Sequence, residues 1–234
     1  MNDEIRSAAS ERGVTRLCHL TPFANLVHIA AGEGLRATCE LSADERACFD
    51  QQDLLRLDRH THHISCSIEY PNGWYLRQRH RGATPVQRLA PDWVCLALDP
   101  RYLWHPQTRF CVRNAAAESG SLVRDGRDAF NALYGSPVSG AGGSRHRLAT
   151  RIPSCPTDDQ AEVLVSRHIE LEDVRAVIGA TNEQIMRIYY GLRQVGGRLG
   201  GIRFVVAPDL FDPVRLSRML AEGERPAELE WRPE

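Results

Sequence analysis

The amino-acid sequence predicts an α+β fold in one domain, on three observations. Short β-branched and apolar runs recur from the middle of the chain onward, helical periodicity concentrates near the beginning and the end, and no internal repeat or low-complexity linker separates them. With 234 residues, 42% hydrophobic and 25% charged, the chain has enough apolar material for one sizeable core. The expectation is a single domain over residues 1–234 with its core at about 17–207.

Taken in order, Leu17-Cys18-His19-Leu20 is short, apolar and strand-like. Residues 21–34 read as a capped helix: Thr21 is the N-cap and Pro22 the first-turn proline. Phe23, Leu26, Val27 and Ile29 recur near helical spacing, and Gly32 and Gly34 stop it. Residues 41–57 carry many charges and read as a loop with one or two helical turns. Ile64-Ser65-Cys66-Ser67-Ile68 alternates as a strand, and Tyr70-Pro71-Asn72-Gly73 is a turn leading into Trp74-Tyr75-Leu76. Residues 93–98 are a central strand ended by Asp99-Pro100; 162–169, 176–180 and 202–207 are further strands, and 182–193 is a helix. Between Cys111 and Pro156 the pattern breaks into Gly, Ser, Ala and Arg, a long irregular segment of the kind that usually carries function.

Composition narrows the function classes. No apolar run approaches the roughly 18 residues that span a bilayer, and residues 1–16 are charged, so a cytoplasmic protein without a membrane partner is expected. The seven cysteines are scattered singly without a C-x-x-C pair, which suits reduced, mostly buried thiols. His60-Thr61-His62-His63 lacks a second ligand pair at zinc-like spacing, so no metal is expected. Neither G-x-G-x-x-G nor a P-loop is present, which argues against a dehydrogenase or an NTPase. The net charge is −1, yet all 29 basic residues are arginine, whose planar fork suits phosphates and bases. Residues 135–155 hold Arg145, His146, Arg147 and Arg151 with no acidic residue, a basic stretch suited to a phosphate backbone or simply to a solvated loop.

Two further places suit chemistry. His19-Leu20-Thr21 with Asn25 sets an imidazole and polar side chains at a strand-to-helix corner, where free backbone N–H groups can hold a nucleotide; a structural His and a capping Thr are the plainer reading. Glu162 opens the apolar run Val163-Leu164-Val165. A carboxylate there is costly to bury without a partner and suits stabilisation of a cationic sugar; its alternative is an edge residue facing water.

Read together, the segments resemble the DarT family of ADP-ribosyltransferase toxins, which modify bases in DNA using NAD. The likeness runs from about His19 to Ala180. It is carried by His19-Leu20-Thr21-x-x-x-Asn25-Leu26 with Gly34-Leu35, by Cys48-Phe49-x-x-x-Asp53-Leu54-x-Arg56, by the run from Cys66 to Tyr75, and by Gln160-Ala161-Glu162-Val163-Leu164-Val165. Residues 101–155, including Phe110-Cys111-Val112-Arg113-Asn114-Ala115, depart from the thymidine-modifying members and suggest a separate branch.

The resemblance implies an ADP-ribosyltransferase-like split β-sandwich that grips NAD, a co-substrate, between two sheets. It places His19, Thr21, Asn25, Gly34 and Tyr75 on the cofactor and makes Glu162 the catalytic carboxylate. Arg56, with Arg46 as second candidate, would meet an NAD phosphate or the substrate. The implied acceptor is a base in single-stranded DNA, with RNA as an alternative. Arg145, Arg147 and Arg151 would steer its backbone, with Tyr134 as a stacking face. The family context implies a toxin of a toxin–antitoxin or phage-defence system, opposed by a separately encoded antitoxin, a macrodomain or other hydrolase, that removes ADP-ribose. An NAD glycohydrolase and a non-catalytic NAD-binding interaction module are the other readings.

Overall fold

Alternating side chains along the strands account for most of the architecture, because the central strands must bury both faces. The computed structural model describes residues 1–32, 34–48, 60–82, 93–140 and 143–233. Within them the strands are β1 (Leu17–Pro22), β2 (Gly34–Arg36), β3 (His63–Ile68), β4 (Trp93–Leu98), β5 (Arg109–Cys111), β6 (Val123–Asp125), β7 (Glu162–Ser166), β8 (His168–Glu170), β9 (Val174–Gly179), β10 (Arg203–Val206) and β11 (Leu229–Trp231). Nine of them form one mostly antiparallel sheet in the order β11-β10-β9-β4-β1-β3-β7-β5-β6, while β2 pairs with β8 alone.

The sheet is split at its middle. β1 and β3 share only the pairs Leu17↔Ile68 and Cys18↔Ser67. Beyond them β1 stays with β4 as far as Pro22↔Trp93, whereas β3 stays with β7 as far as His63↔Ser166. The two strands therefore diverge, and a mouth opens between a lobe built on β1 and β4 and a lobe built on β3 and β7.

Both faces are covered, which is why β4 is a continuous apolar run buried at every position. On one face Leu17, Leu96, Ile68, Val163 and Val165 join the main core with Ile5, Leu26, Phe130 and Ile188 from the helices α1 (Asp3–Glu11), α2 (Phe23–Ala31), α5 (Gly126–Ala132) and α6 (Asn182–Gln194). On the other, Cys18, Cys95, Ala97 and Val205 pack against Leu216 and Leu220 of α7 (Pro213–Glu222). The remaining described α-helices are α3 (Ala43–Cys48) and α4 (Gly73–Gly82). The helix starts are written in the sequence: Asn2 accepts from the Ile5 amide, Thr181 from Gln184, and Asp212 from Val214 and Arg215 ahead of Pro213. Helix α1, helix α7 and β11 lie outside residues 17–207 but belong to the same packing.

Several elements differ from expectation for identifiable reasons. Thr21 caps nothing: the ladder with β4 runs through Thr21↔Val94, so the helix begins only at Phe23. The run 162–169 is two strands, broken at Arg167, whose φ of +61° turns the chain out of β geometry. The Pro71-Asn72-Gly73 turn starts a helix, since the Asn72 side chain accepts from the Tyr75 amide, and Tyr75 is helical. The irregular stretch after Cys111 contains β6 and α5 before the chain becomes aperiodic. Free cysteines are buried except Cys39 among those described, and burial pushes the Cys155 thiol up to about 12.

Candidate active site

The mouth of the split sheet collects polar groups from both lobes. His19 is the first residue of β1 beyond its last pair with β3, and it is half-buried. Its Nδ1 lies 2.8 Å from the Ser65 carbonyl oxygen on β3. A carbonyl only accepts, so Nδ1 carries the proton and a neutral ring presents Nε2 as an acceptor. One backbone bond thus sets both the tautomer and the ring's direction.

The opposite lip carries Glu162, the first residue of β7. The register places Ser65 opposite Leu164, which makes Glu162 its diagonal neighbour on the same face. The Ser65 hydroxyl donates to Glu162 Oε2 at 2.6 Å, and the Ala115 amide donates to Oε1 at 3.0 Å. Donors on both oxygens hold the carboxylate in one orientation. His19, Ser65 and Glu162 therefore form a connected chain from one lip to the other.

The Ala115 amide is itself anchored. Two residues earlier Arg113 is buried, with Nε 2.9 Å from Asp158 Oδ2 and Nη1 donating to the Gly143 carbonyl at 2.6 Å. Asp158 Oδ1 accepts from the Gln160 amide at 2.8 Å. Arg113 thereby ties together the segment that touches Glu162, the turn at Gly143 and the approach to β7.

The other sequence candidates are distributed as follows. Thr21 is buried in β1 and Asn25 half-buried in α2, both at the corner that follows His19. Tyr75 packs edge-on against Trp93 with ring centroids 5.7 Å apart, and Trp93 pairs with Pro22, so this ring stands by the same corner. Gly34 has a φ of +126°, and a Cβ there would meet the Ile169 carbonyl at 2.2 Å; the β2–β8 contact alone requires glycine. Arg56 and the side chain of Arg46 lie outside the described residues.

The basic stretch is organised differently from a phosphate-binding patch. Arg151 is buried, donating to the Pro156 carbonyl at 2.6 Å and to Asp159 at 2.6 Å, and Asp159 also accepts from Ser217. Arg147 donates to the carbonyls of Cys155 and Ile152 and covers the Tyr134 ring at 5.5 Å. Tyr134 is sandwiched: Arg12 covers it at 4.6 Å, Phe130 packs against it and its hydroxyl donates to the Ser154 carbonyl. These three side chains clamp the loop's own carbonyls instead of facing outward, because an aperiodic segment must satisfy its backbone with side chains. Arg145 and His146 stay exposed. Ser65, the Ala115 amide and the Arg113–Asp158 pair were missed by sequence reasoning; only Ser65, one strand position in an alternating run, carried a readable signal.

The large, mostly antiparallel sheet with its helices is the fold of an NAD-dependent ADP-ribosyltransferase, the class to which the family match assigns the chain. The family described as DarT, ssDNA thymidine ADP-ribosyltransferase, matches residues 18–211, and the chain belongs to that family. Among solved structures, the Thermus sp. 2.9 DarT in complex with ADP-ribosylated ssDNA is 16% identical with a TM-score of 0.58, over 85% of this chain and 97% of that one. The same Thermus protein in complex with NAD+ is 15% identical with a TM-score of 0.55, over 84% and 97%. The Thermosipho africanus DarTG in complex with ADP-ribose is 14% identical with a TM-score of 0.55, over 84% of this chain and 51% of that one. At these identities the likeness is one of fold. No curated protein matches the sequence.

Proposed function

We propose that this chain transfers ADP-ribose from NAD to a base in single-stranded DNA, with Glu162 as its catalytic carboxylate. The observation that supports the reading is the chain His19–Ser65–Glu162, in which one residue of β3 holds an imidazole from β1 through its carbonyl and a carboxylate from β7 through its hydroxyl. The groups fit NAD: His19 Nε2 accepts from a ribose or amide donor, Asn25 and Thr21 line the neighbouring corner, and Tyr75 supplies an aromatic surface. Glu162 faces the ribose, holds its hydroxyl, stabilises positive charge as the bond to nicotinamide breaks and takes the proton of the acceptor base. Single-stranded substrate presents that base without the cost of flipping it from a duplex. Arg145, exposed and 4.0 Å from Asp158 Oδ2, meets the DNA backbone, while Arg147 and Arg151 shape the loop behind it.

We extend the reading to a cytoplasmic toxin opposed by an antitoxin that removes ADP-ribose, a reading supported by the likeness to DarTG; no described helix is long and apolar enough to cross a membrane. The test is nucleoside mass spectrometry after incubation with NAD and mixed single-stranded oligonucleotides, using the intact chain and Glu162→Gln. An ADP-ribosylated nucleoside is expected from the intact chain, and the adduct mass identifies the base. Loss of the charge is expected to lower transfer by on the order of 100-fold or more. Nicotinamide release without any nucleoside adduct would leave an NAD glycohydrolase, and a Gln variant retaining over a tenth of the activity would remove Glu162 from the mechanism.

A further inference from the structure

Away from the mouth, the fold assembles a second set of reactive side chains. Cys39 Sγ lies 3.0 Å from His62 Nδ1 and 3.7 Å from Glu40 Oε1, and the three donor atoms all fall within 4.8 Å of one another. They come from the turn Thr38–Glu40 and from the residue just before β3, twenty-two positions later in the chain. Three backbone bonds fix these segments: Cys39 N–H to the Thr61 carbonyl at 3.2 Å, Arg167 N–H to the His62 carbonyl at 2.9 Å, and Ala37 N–H to the Arg167 carbonyl at 2.7 Å.

A tetrahedral zinc ion bound by S, N and O atoms at about 2.0–2.3 Å holds its donors roughly 3.3–3.7 Å apart, so modest side-chain rotations bring this set to binding geometry. Thiolate with imidazole selects zinc-class ions over magnesium or calcium. Cys39 is also the one cysteine side chain among those described that is not buried, so an ion can reach it. Arg167 Nη1, 3.6 Å from Glu40 Oε1, is placed to hold the carboxylate from outside, as partners of metal ligands do.

We propose that Cys39, Glu40 and His62 bind one zinc-class divalent ion with a fourth position open to water. The ion clips the Thr38–Glu40 turn to the residue just before β3. It takes no part in the NAD chemistry, because Glu162 stands at the other end of the β3–β7 ladder, roughly 13 Å along the strand. Its effect is to add a bond between two described segments that the folded chain already holds together through the backbone.

Cobalt(II) titration of the intact chain tests the site, since a thiolate ligand gives a charge-transfer absorption band that zinc abolishes by displacement. A saturable band at one equivalent is expected. Cys39→Ser is expected to lose it and to weaken zinc binding by more than ~100-fold, since changes in outer partners alone cost roughly 10–100-fold; His62→Ala weakens binding similarly, and both variants keep the native melting profile without metal. A band that survives Cys39→Ser, or no band at millimolar cobalt, would overturn the proposal.

Discussion

Ser65 does two jobs with two atoms, and they can be separated. Its carbonyl fixes the His19 ring and its hydroxyl fixes the Glu162 carboxylate. Ser65→Ala removes only the second. A hydrogen bond to a charged group contributes about 1.5–3 kcal/mol, so the turnover number is expected to fall by roughly 10–100-fold while NAD affinity changes little. Single-turnover nicotinamide release beside NAD titration checks this, and an equal loss in both would mean that Ser65 shapes the pocket as a whole. At this scale legibility was uneven. Glu162 and His19 stood out because a carboxylate in an apolar run and an imidazole at a strand end are chemically conspicuous. The Ala115 amide was invisible, since a backbone donor has no residue type, and Arg113 looked like one arginine among many.

At the element scale, arginine composition says little about which guanidinium groups face outward. Arg145, Arg147 and Arg151 are adjacent on paper, but a loop with little regular structure needs internal donors for its carbonyls, and two of the three are consumed there. Substitutions should therefore divide. Arg151→Ala strands the largely buried Asp159 carboxylate beside Ser217, and breaking a buried pair of this kind costs about 3 kcal/mol, read as a lowered melting midpoint with loss of all activities. Arg145→Ala is expected to leave stability unchanged and to make the salt dependence of single-strand binding shallower by about 0.7 in log–log slope. Thermal melting and anisotropy titrations across salt concentrations measure both. A stable Arg151→Ala protein with weakened DNA binding would return Arg151 to the nucleic-acid surface. The strands were legible because their patterns of apolar residues are strong. The helix at Gly73–Gly82 was not, because Pro-Asn-Gly serves equally as a turn and as a helix start.

For the whole molecule the decisive feature is the narrow junction between lobes, two residue pairs wide, with His19 on one side of the opening and Glu162 on the other. Neither composition nor periodicity announces such a split; it follows from β1 and β3 each having a longer ladder with another strand. A ligand that touches both lips stabilises the entire fold, and the two lips should contribute unequally. At a concentration about 100 times its dissociation constant, a non-hydrolysable NAD analogue stabilises by about 2.7 kcal/mol, which for a chain of this size raises the melting midpoint by ~5–10 °C. Glu162→Gln is expected to retain that rise, because the amide oxygen still accepts from the ribose hydroxyl and only the charge that the transition state needs is lost. His19→Ala loses a ground-state contact; a tenfold weaker affinity would reduce the rise by about half at the same analogue concentration. Differential scanning fluorimetry of the three proteins, with and without the analogue, reads both effects. A full rise in His19→Ala together with none in Glu162→Gln would exchange the two roles, placing recognition on the β7 lip and leaving His19 to the chemical step.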